Sequence, residues 1–230
     1  MTDAMLQLVS ASILFVVSHL LLSHPPIRTP LRQLLGKWGF RGAYSLISIA
    51  LMFWMVTTYG DMPRTVLWDA HTSIRHGSLT VMLFAVFLTV CGATTPNPGI
   101  MDMEEKGLDG GAVGILKITR HPVMWGTALW GISHTLSNGH LEGIIFFGSL
   151  AALALLGASH IDHRRTERLG DRWRDYMAVT SHIPLGAIMS GRAKVEKGEI
   201  RWWQTLLSIT LYTGFLFGHE AIFGPYVLPF

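Results

Sequence analysis

The chain is short of cysteine and of charged residues. Its 230 residues include a single cysteine, Cys91, which excludes an internal disulfide and a cysteine-rich metal site. Asp, Glu, Lys and Arg make up 14% of the sequence, whereas a soluble domain contains roughly 25%. Half of the residues are hydrophobic and the mean hydropathy is +0.38. These values predict an integral membrane protein surrounded by lipid rather than a soluble domain with a large core.

The basic residues do not form a surface for nucleic acid. The formal net charge is +3 and the sequence pI is about 9.2, values that by themselves would suit an acidic partner. The Lys and Arg residues, however, lie between the apolar runs or at their edges, which is the distribution that membrane topology requires. We therefore predict membrane lipid as a partner and exclude nucleic acid. The sequence does not indicate an oligomeric state.

The apolar runs predict an all-α, integral membrane helical bundle formed by a single domain, residues 1–230. Each run is close to the ~20 residues with which a helix crosses a bilayer. Turn residues 137–140 join the fourth and fifth spans into a helical hairpin. Apolar residues spaced three and four apart from Leu169 to Met177 predict an amphipathic helix on the basic side. The six predicted spans are 5–24, 41–60, 77–95, 121–137, 141–160 and 203–223.

The distribution of positive charge predicts the orientation of the bundle. Sixteen of the 18 Lys and Arg residues fall in segments 25–41, 101–120 and 161–201, which lie on one side of a six-span bundle. Only Arg64 and Arg75 fall on the other side. Because cytoplasmic loops are enriched in positive charge, both termini are expected to face the periplasm of a bacterial inner membrane, or its equivalent.

Two histidines interrupt apolar runs. His19 lies in the predicted first span, and His134 lies near the end of the fourth. An ionisable residue inside a span is costly and by default marks a functional site. Neutral imidazole is a common metal ligand, and two histidines on separate helices can supply both axial ligands of a haem. A histidine bonded to a neighbouring serine or backbone carbonyl is the alternative interpretation.

Arg120 and His121 begin the fourth span on the basic side. Their side chains could neutralise an anionic group there, such as a phosphate or a haem propionate. The alternative is that they only mark the inner edge of a helix whose first turn contains Pro122. From the residues alone, this second interpretation is favoured.

Four stretches carry a resemblance to a known family. They are Val17-Ser18-His19 with Arg28; Gly39 through Leu46; Ile118 through Gly126 and on to Leu136; and Asp162-His163-Arg164-Arg165 through Ser181-His182-Ile183-Pro184 to Arg192. On these motifs the chain resembles the NnrU family of membrane proteins, which includes zeta-carotene isomerase. Members that occur in denitrification gene clusters carry the family name.

The resemblance implies a cofactor and an activity. It implies a b-type haem ligated by His19 and His134, and redox-dependent cis–trans isomerisation of a hydrophobic, carotenoid-like polyene that enters from the bilayer. Arg120 and His121 are the candidates for binding the propionates. In the isomerase, a cysteine three residues before the second histidine is a proposed exchangeable ligand, and this chain has Gly131 at that position.

Two other functions stay open. Arg120-His121-Pro122 followed by Gly126, with Asp162, Tyr176 and Pro184 downstream, resembles the S-adenosylmethionine-binding segment of isoprenylcysteine-type membrane methyltransferases. The paired glutamate of those enzymes is replaced here by Ile161-Asp162. The other alternative is a non-catalytic accessory protein linked to denitrification.

Overall fold

The computed structural model describes residues 3–100, 103–225 and 227, and over these residues the chain is helical without a β-strand. A lone β-bridge joins Val66 and His140. The helices are α1 (Asp3–Ser23), α2 (Pro25–Asp61), α3 (Thr72–Thr94), α4 (Glu104–Asp109), α5 (Ile115–Ile118), α6 (Pro122–Asn138), α7 (Leu141–Leu169), α8 (Asp171–Ala178), α9 (Gly186–Met189) and α10 (Trp202–Phe223).

Consecutive prolines follow α1 and form the first residues of α2. As predicted, α1 ends before Pro25-Pro26. The prediction that the next helix begins near residue 41 was wrong, because α2 begins at Pro25 itself. Proline is favoured in the first turn of a helix, where its missing N–H has no partner and its fixed φ is already helical. α2 is interrupted at Gly36, whose φ of 71° suits glycine, and its apolar part follows that break.

The long helices pack in the spatial order α2, α1, α7, α6, α3 and α10. α1 and α7 run parallel. Near their N-termini, Leu8 belongs to the same buried cluster as Phe147. Near the other end, the His24 ring lies 5.8 Å from the His160 ring. These paired contacts allow depths along α1 to be compared with depths along α7.

α6 is packed tightly between α3 and α7 because glycines line its contact faces. A Cβ atom on Gly126 would collide with Thr89 and with the backbone of α3, and one on Gly131 would lie 2.7 Å from the Phe147 carbonyl oxygen of α7. Small residues let membrane helices approach closely enough for backbone packing. α6 therefore has a fixed position between its neighbours.

Within the described residues, five helices are long and apolar enough to cross a membrane: α1, α2, α3, α7 and α10. The chain is thus a helical membrane protein with five candidate spans. The predicted fourth span forms a helix, α6, but it has 17 residues and would measure about 25 Å. The predicted count of six spans is therefore not confirmed, although α6 lies among the other five.

Short helices cover one end of the bundle, which we call the basic end and which comprises residues 24–36, 95–121 and 161–201. α8 forms within the segment where an amphipathic helix was predicted, and it buries Trp173 and Tyr176. Its association with a membrane surface stays a prediction. Lys117 pairs with Glu199 at 2.6 Å and so joins α5 to the segment before α10.

The opposite end of the bundle is closed by the predicted turn between α6 and α7. Gly139 has a φ of 64°, in the left-handed region that favours glycine. Its carbonyl oxygen accepts hydrogen bonds from the backbone N–H groups of Leu67 and Trp68, at 2.8 and 3.2 Å. The turn thus holds the loop between α2 and α3 in place.

Candidate functional site

His19 lies in α1 and faces α2. Its Nδ1 donates to the Phe15 carbonyl oxygen at 2.7 Å. Its Nε2 lies 3.2 Å from the Ser48 Oγ of α2, while that hydroxyl donates to the Tyr44 carbonyl oxygen at 2.8 Å. In neutral His19, the Nδ1 proton is therefore fixed and Nε2 carries the lone pair that a metal ligand needs.

His134 lies in α6 and has the same local arrangement. Its Nδ1 donates to the Trp130 carbonyl oxygen, four residues earlier, at 2.9 Å. Its ring stacks on Phe147 of α7 at 4.8 Å, and the His219 ring of α10 lies 6.4 Å away. The Nε2 atom of neutral His134 thus also carries the lone pair.

The two histidines lie at different depths. His19 is five residues before His24, whose ring packs on His160, so His19 is level with about residue 155 of α7. His134 packs on Phe147. Eight residues of helix correspond to about 12 Å along the bundle axis. His19 contacts α2, whereas His134 contacts α7 and α10, so the structure does not bring the two rings into contact.

Gly131 occupies the position at which the resemblance implies a cysteine in the isomerase. It is buried against α7, where a Cβ would lie 3.0 Å from the Ala151 Cβ as well as 2.7 Å from the Phe147 oxygen. The α6–α7 spacing therefore leaves no room for a cysteine side chain here.

Arg120 and His121 are brought together with Asp162, at the basic end. The Arg120 guanidinium donates to both carboxylate oxygens of Asp162, with Nη2 at 2.6 Å from Oδ2 and Nε at 2.9 Å from Oδ1. His121 Nε2 lies 2.8 Å from Oδ1. The expectation that Arg120 and His121 hold a haem propionate stays a prediction, and in the structure both already bind a carboxylate of the chain.

His182 completes this group, which we call the Asp162 cluster (Arg120, His121, Asp162 and His182). Its Nδ1 lies 3.1 Å from Asp162 Oδ2. Its carbonyl oxygen accepts from Thr119 Oγ1 at 2.8 Å and from Trp125 Nε1 at 2.7 Å. These contacts between distant parts of the chain hold His182 over the start of α6.

The donor atoms of His121, Asp162 and His182 lie within 4.8 Å of one another, as metal ligands would. Asp162, however, already accepts from a guanidinium and from two imidazoles, so its oxygens are fully used. Burial lowers the pKa of His121 although Asp162 opposes this shift, so a neutral ring that donates one proton suits the contact. The cluster is therefore complete as a hydrogen-bonded ion pair.

Tyr176 of α8 lies near the Asp162 cluster and interacts electrostatically with Arg120 and Asp162. Burial raises the pKa of its phenol. Its hydroxyl is buried and has no hydrogen-bond partner in the described part of the chain. Tyr176 also lines an open pocket of about 300 Å³ between α4 and α8, together with Leu108 and Arg172. This pocket lies next to the segment that resembles the methyltransferases, and the methyltransferase interpretation stays a prediction.

A family model described as "NnrU protein" matches residues 7–227. The chain belongs to the NnrU family. The residues of the Asp162 cluster come from two of the four stretches that carried this resemblance in the sequence.

Two relatives of the chain have names that state an enzymatic function. The chain is 27% identical over 218 residues, 92% of its length, to the protein named "15-cis-zeta-carotene isomerase, chloroplastic" from Zea mays. It is also 27% identical over 198 residues, 84% of its length, to the protein of the same name from Arabidopsis thaliana. The chain spans 59% and 54% of these two relatives. No solved structure matches the chain.

Proposed function

We propose that this NnrU protein is a membrane cis–trans isomerase of a hydrophobic polyene and that it contains a b-type haem. The main support is the 27% identity, over 92% of the chain, to a protein named 15-cis-zeta-carotene isomerase. The helical membrane fold supports the substrate class, because a carotenoid-like polyene dissolves in the same apolar layer that surrounds these helices. The membrane methyltransferase and the accessory role linked to denitrification remain the alternatives.

His19 and His134 are the proposed haem ligands. Each ring taken singly suits this role, because Nδ1 is anchored to the carbonyl oxygen four residues earlier and Nε2 is left as the metal-binding atom. The anchoring also limits ring rotation, so each Nε2 keeps a defined direction. The offset of about 12 Å along the bundle axis means that α1 and α6 must shift relative to each other before both rings could bind one iron. When bound, the haem would supply a redox-active iron that lowers the barrier to rotation about a double bond.

The surroundings of the two rings suit an apolar substrate. Phe147 and Trp130 lie 4.8 and 4.9 Å from the His134 ring, and Phe15 lies 4.2 Å from the His19 ring. Aromatic faces bind a flat, extended hydrocarbon and exclude water from it. The outer surfaces of α2 and α10 are apolar and exposed, so a polyene can approach laterally from the lipid.

The proposed activity is tested with the purified protein in liposomes that contain 15-cis-zeta-carotene. Haem-loaded, reduced protein should convert the 15-cis bond to trans, with separation of isomers by chromatography as the readout. Haem-free protein at the same concentration is the control, because its membrane fold is present without the redox centre. Equal conversion rates in both samples would contradict the haem-dependent function, and a lack of conversion in both would contradict the isomerase assignment.

We further propose that the basic end lies in the cytoplasm, or its equivalent, and that both termini lie on the other side. The support is the charge distribution, with sixteen of 18 Lys and Arg residues in segments assigned to one side. Alkaline phosphatase fused after Phe230 should be active in a bacterial host, whereas green fluorescent protein fused there should be dark. The reverse pair of results would disprove this orientation.

A further inference from the structure

Positive charge is concentrated where α1, α2 and α7 meet at the basic end. Arg28 belongs to α2, and Arg164, Arg165 and Arg168 belong to the end of α7. Arg28 and Arg164 repel each other electrostatically, and both are also repelled by the charge of Arg168. We call these four residues the arginine cluster. Among the described residues, Glu104 of α4 is the acidic residue that interacts electrostatically with Arg28, Arg164 and Arg165.

Glu104 is already bound by half of the arginine cluster. Its Oε1 pairs with Arg165 Nη1, and its Oε2 lies 3.2 Å from Arg168 Nη2. Neither Arg28 nor Arg164 has an ion pair with a carboxylate within the described residues. Among the described residues, the cluster therefore holds four guanidinium groups against one carboxylate.

Parts of the arginine cluster are buried with unused donors. Arg165 is 1% exposed, and its Nε and Nη2 atoms have no hydrogen-bond partner among the described residues. Arg164 is partly buried, and its Nη1 donates to the Ser23 carbonyl oxygen at 3.3 Å. Arg165 has Glu104 as its counter-ion, but its other buried donors find no acceptor among the described residues, and buried donors are normally satisfied. This arrangement calls for an anion with several acceptor oxygens.

The cluster lies at the end of an apolar stripe on α1. Leu14, Val17 and Leu21 are 48%, 42% and 47% exposed, and their spacing of three and four residues places them on one face of the helix. α1 ends at Ser23, whose carbonyl oxygen is bound by Arg164. An exposed apolar helix surface whose helix ends at a cluster of guanidinium groups matches an amphiphile with an anionic head.

We propose that the arginine cluster binds the phosphate of an anionic lipid, with an acyl chain lying along Leu14, Val17 and Leu21. Guanidinium groups bind phosphate through paired, charge-assisted hydrogen bonds. The lipid, rather than free phosphate, is favoured because the site lies where the candidate membrane span α1 ends and because α1 has an exposed apolar stripe. This site is separate from the proposed haem ligands and does not depend on the isomerase function.

The test uses full-length, haem-free protein in a neutral detergent, so that no haem carboxylate competes. Calorimetry would compare short-chain phosphatidylglycerol, short-chain phosphatidylcholine and inorganic phosphate. We expect saturable binding of phosphatidylglycerol, at least about tenfold tighter than binding of the other two probes. Equal affinity for both lipids would overturn the proposal, and equal affinity for inorganic phosphate would overturn its lipid assignment.

Three variants locate the site. Arg28→Gln and Arg164→Gln should each weaken phosphatidylglycerol binding by about tenfold or more, because each removes a charge-assisted contact. Arg174→Gln is the matched control, since Arg174 is exposed and pairs with Asp171 at 2.7 Å. Arg164→Lys keeps the charge and should bind phosphatidylglycerol more tightly than Arg164→Gln. This comparison separates loss of the charge from misfolding of the Gln variant. Unchanged affinity in both Gln variants would disprove the assignment.

Discussion

Replacing Asp162 with alanine will lower the free energy of unfolding by about 3–5 kcal/mol, because it leaves a buried cation without its partner. Arg120 and His121 are 8% and 3% exposed, so water cannot replace the lost carboxylate. The change also removes the acceptor for His182 Nδ1. The measurement is unfolding in detergent, monitored through the loss of the helical circular-dichroism signal as temperature or denaturant concentration rises.

Two comparison variants make this result specific. Asp171→Ala removes an exposed carboxylate paired with Arg174 and should cost less than about 1 kcal/mol. Asp162→Asn keeps oxygen and nitrogen atoms near the same positions but loses the charge, so it should fall between the two. A cost of less than about 1 kcal/mol for Asp162→Ala would show that the cluster does not hold α6 and α7 together.

Replacing either proposed ligand with alanine will remove most of the haem. In a haem-replete host, the unchanged protein should show the Soret and split visible bands of a six-coordinate, low-spin haem when reduced. His19→Ala and His134→Ala should each reduce the haem content per protein by about tenfold, since a metal ligand and its supporting contacts contribute on that scale. Absorbance and pyridine-haemochrome content are the measurements.

His163→Ala is the control for these variants, because His163 is 65% exposed and pairs with Glu167 on the surface. It should retain its haem. Loss of haem in His134→Ala together with full retention in His19→Ala would contradict His19 as a ligand. That outcome would direct attention to His219, whose ring lies 6.4 Å from that of His134. A well-folded protein without any haem would refute the cofactor proposal.

The membrane helices could be predicted because hydropathy depends on local sequence alone. The ends of α3, α6 and α10 agree with the predicted spans to within a few residues, as does the turn at Gly139. The start of α2 could not be predicted in the same way. Pro25 can either end one helix or begin another, and the helical residues up to Gly36 lack the apolar pattern that identifies a span.

The Asp162 cluster was accessible to sequence reasoning only as separate motifs. Arg120 and His121 were recognised as a candidate anion site, but their partner lies about forty positions away in another helix. The pairing depends on α6 lying against α7 and on the 181–185 segment folding back, with Arg120 N–H donating to the Ser181 carbonyl oxygen at 2.9 Å. A buried arginine next to a histidine is a signal that a carboxylate must be close.

The close contact at Gly131 also links the residue type at this position to the distance between α6 and α7 in relatives of this protein. The atom closest to a side chain at this position would be a backbone oxygen, that of Phe147, and no substitution in α7 can remove it. A relative with a larger residue at the position of Gly131 must therefore hold its two helices further apart. The residue type at this one position thus indicates the interhelical distance. A helix exchanged between a protein with glycine here and one with a larger residue would not fit its new neighbour.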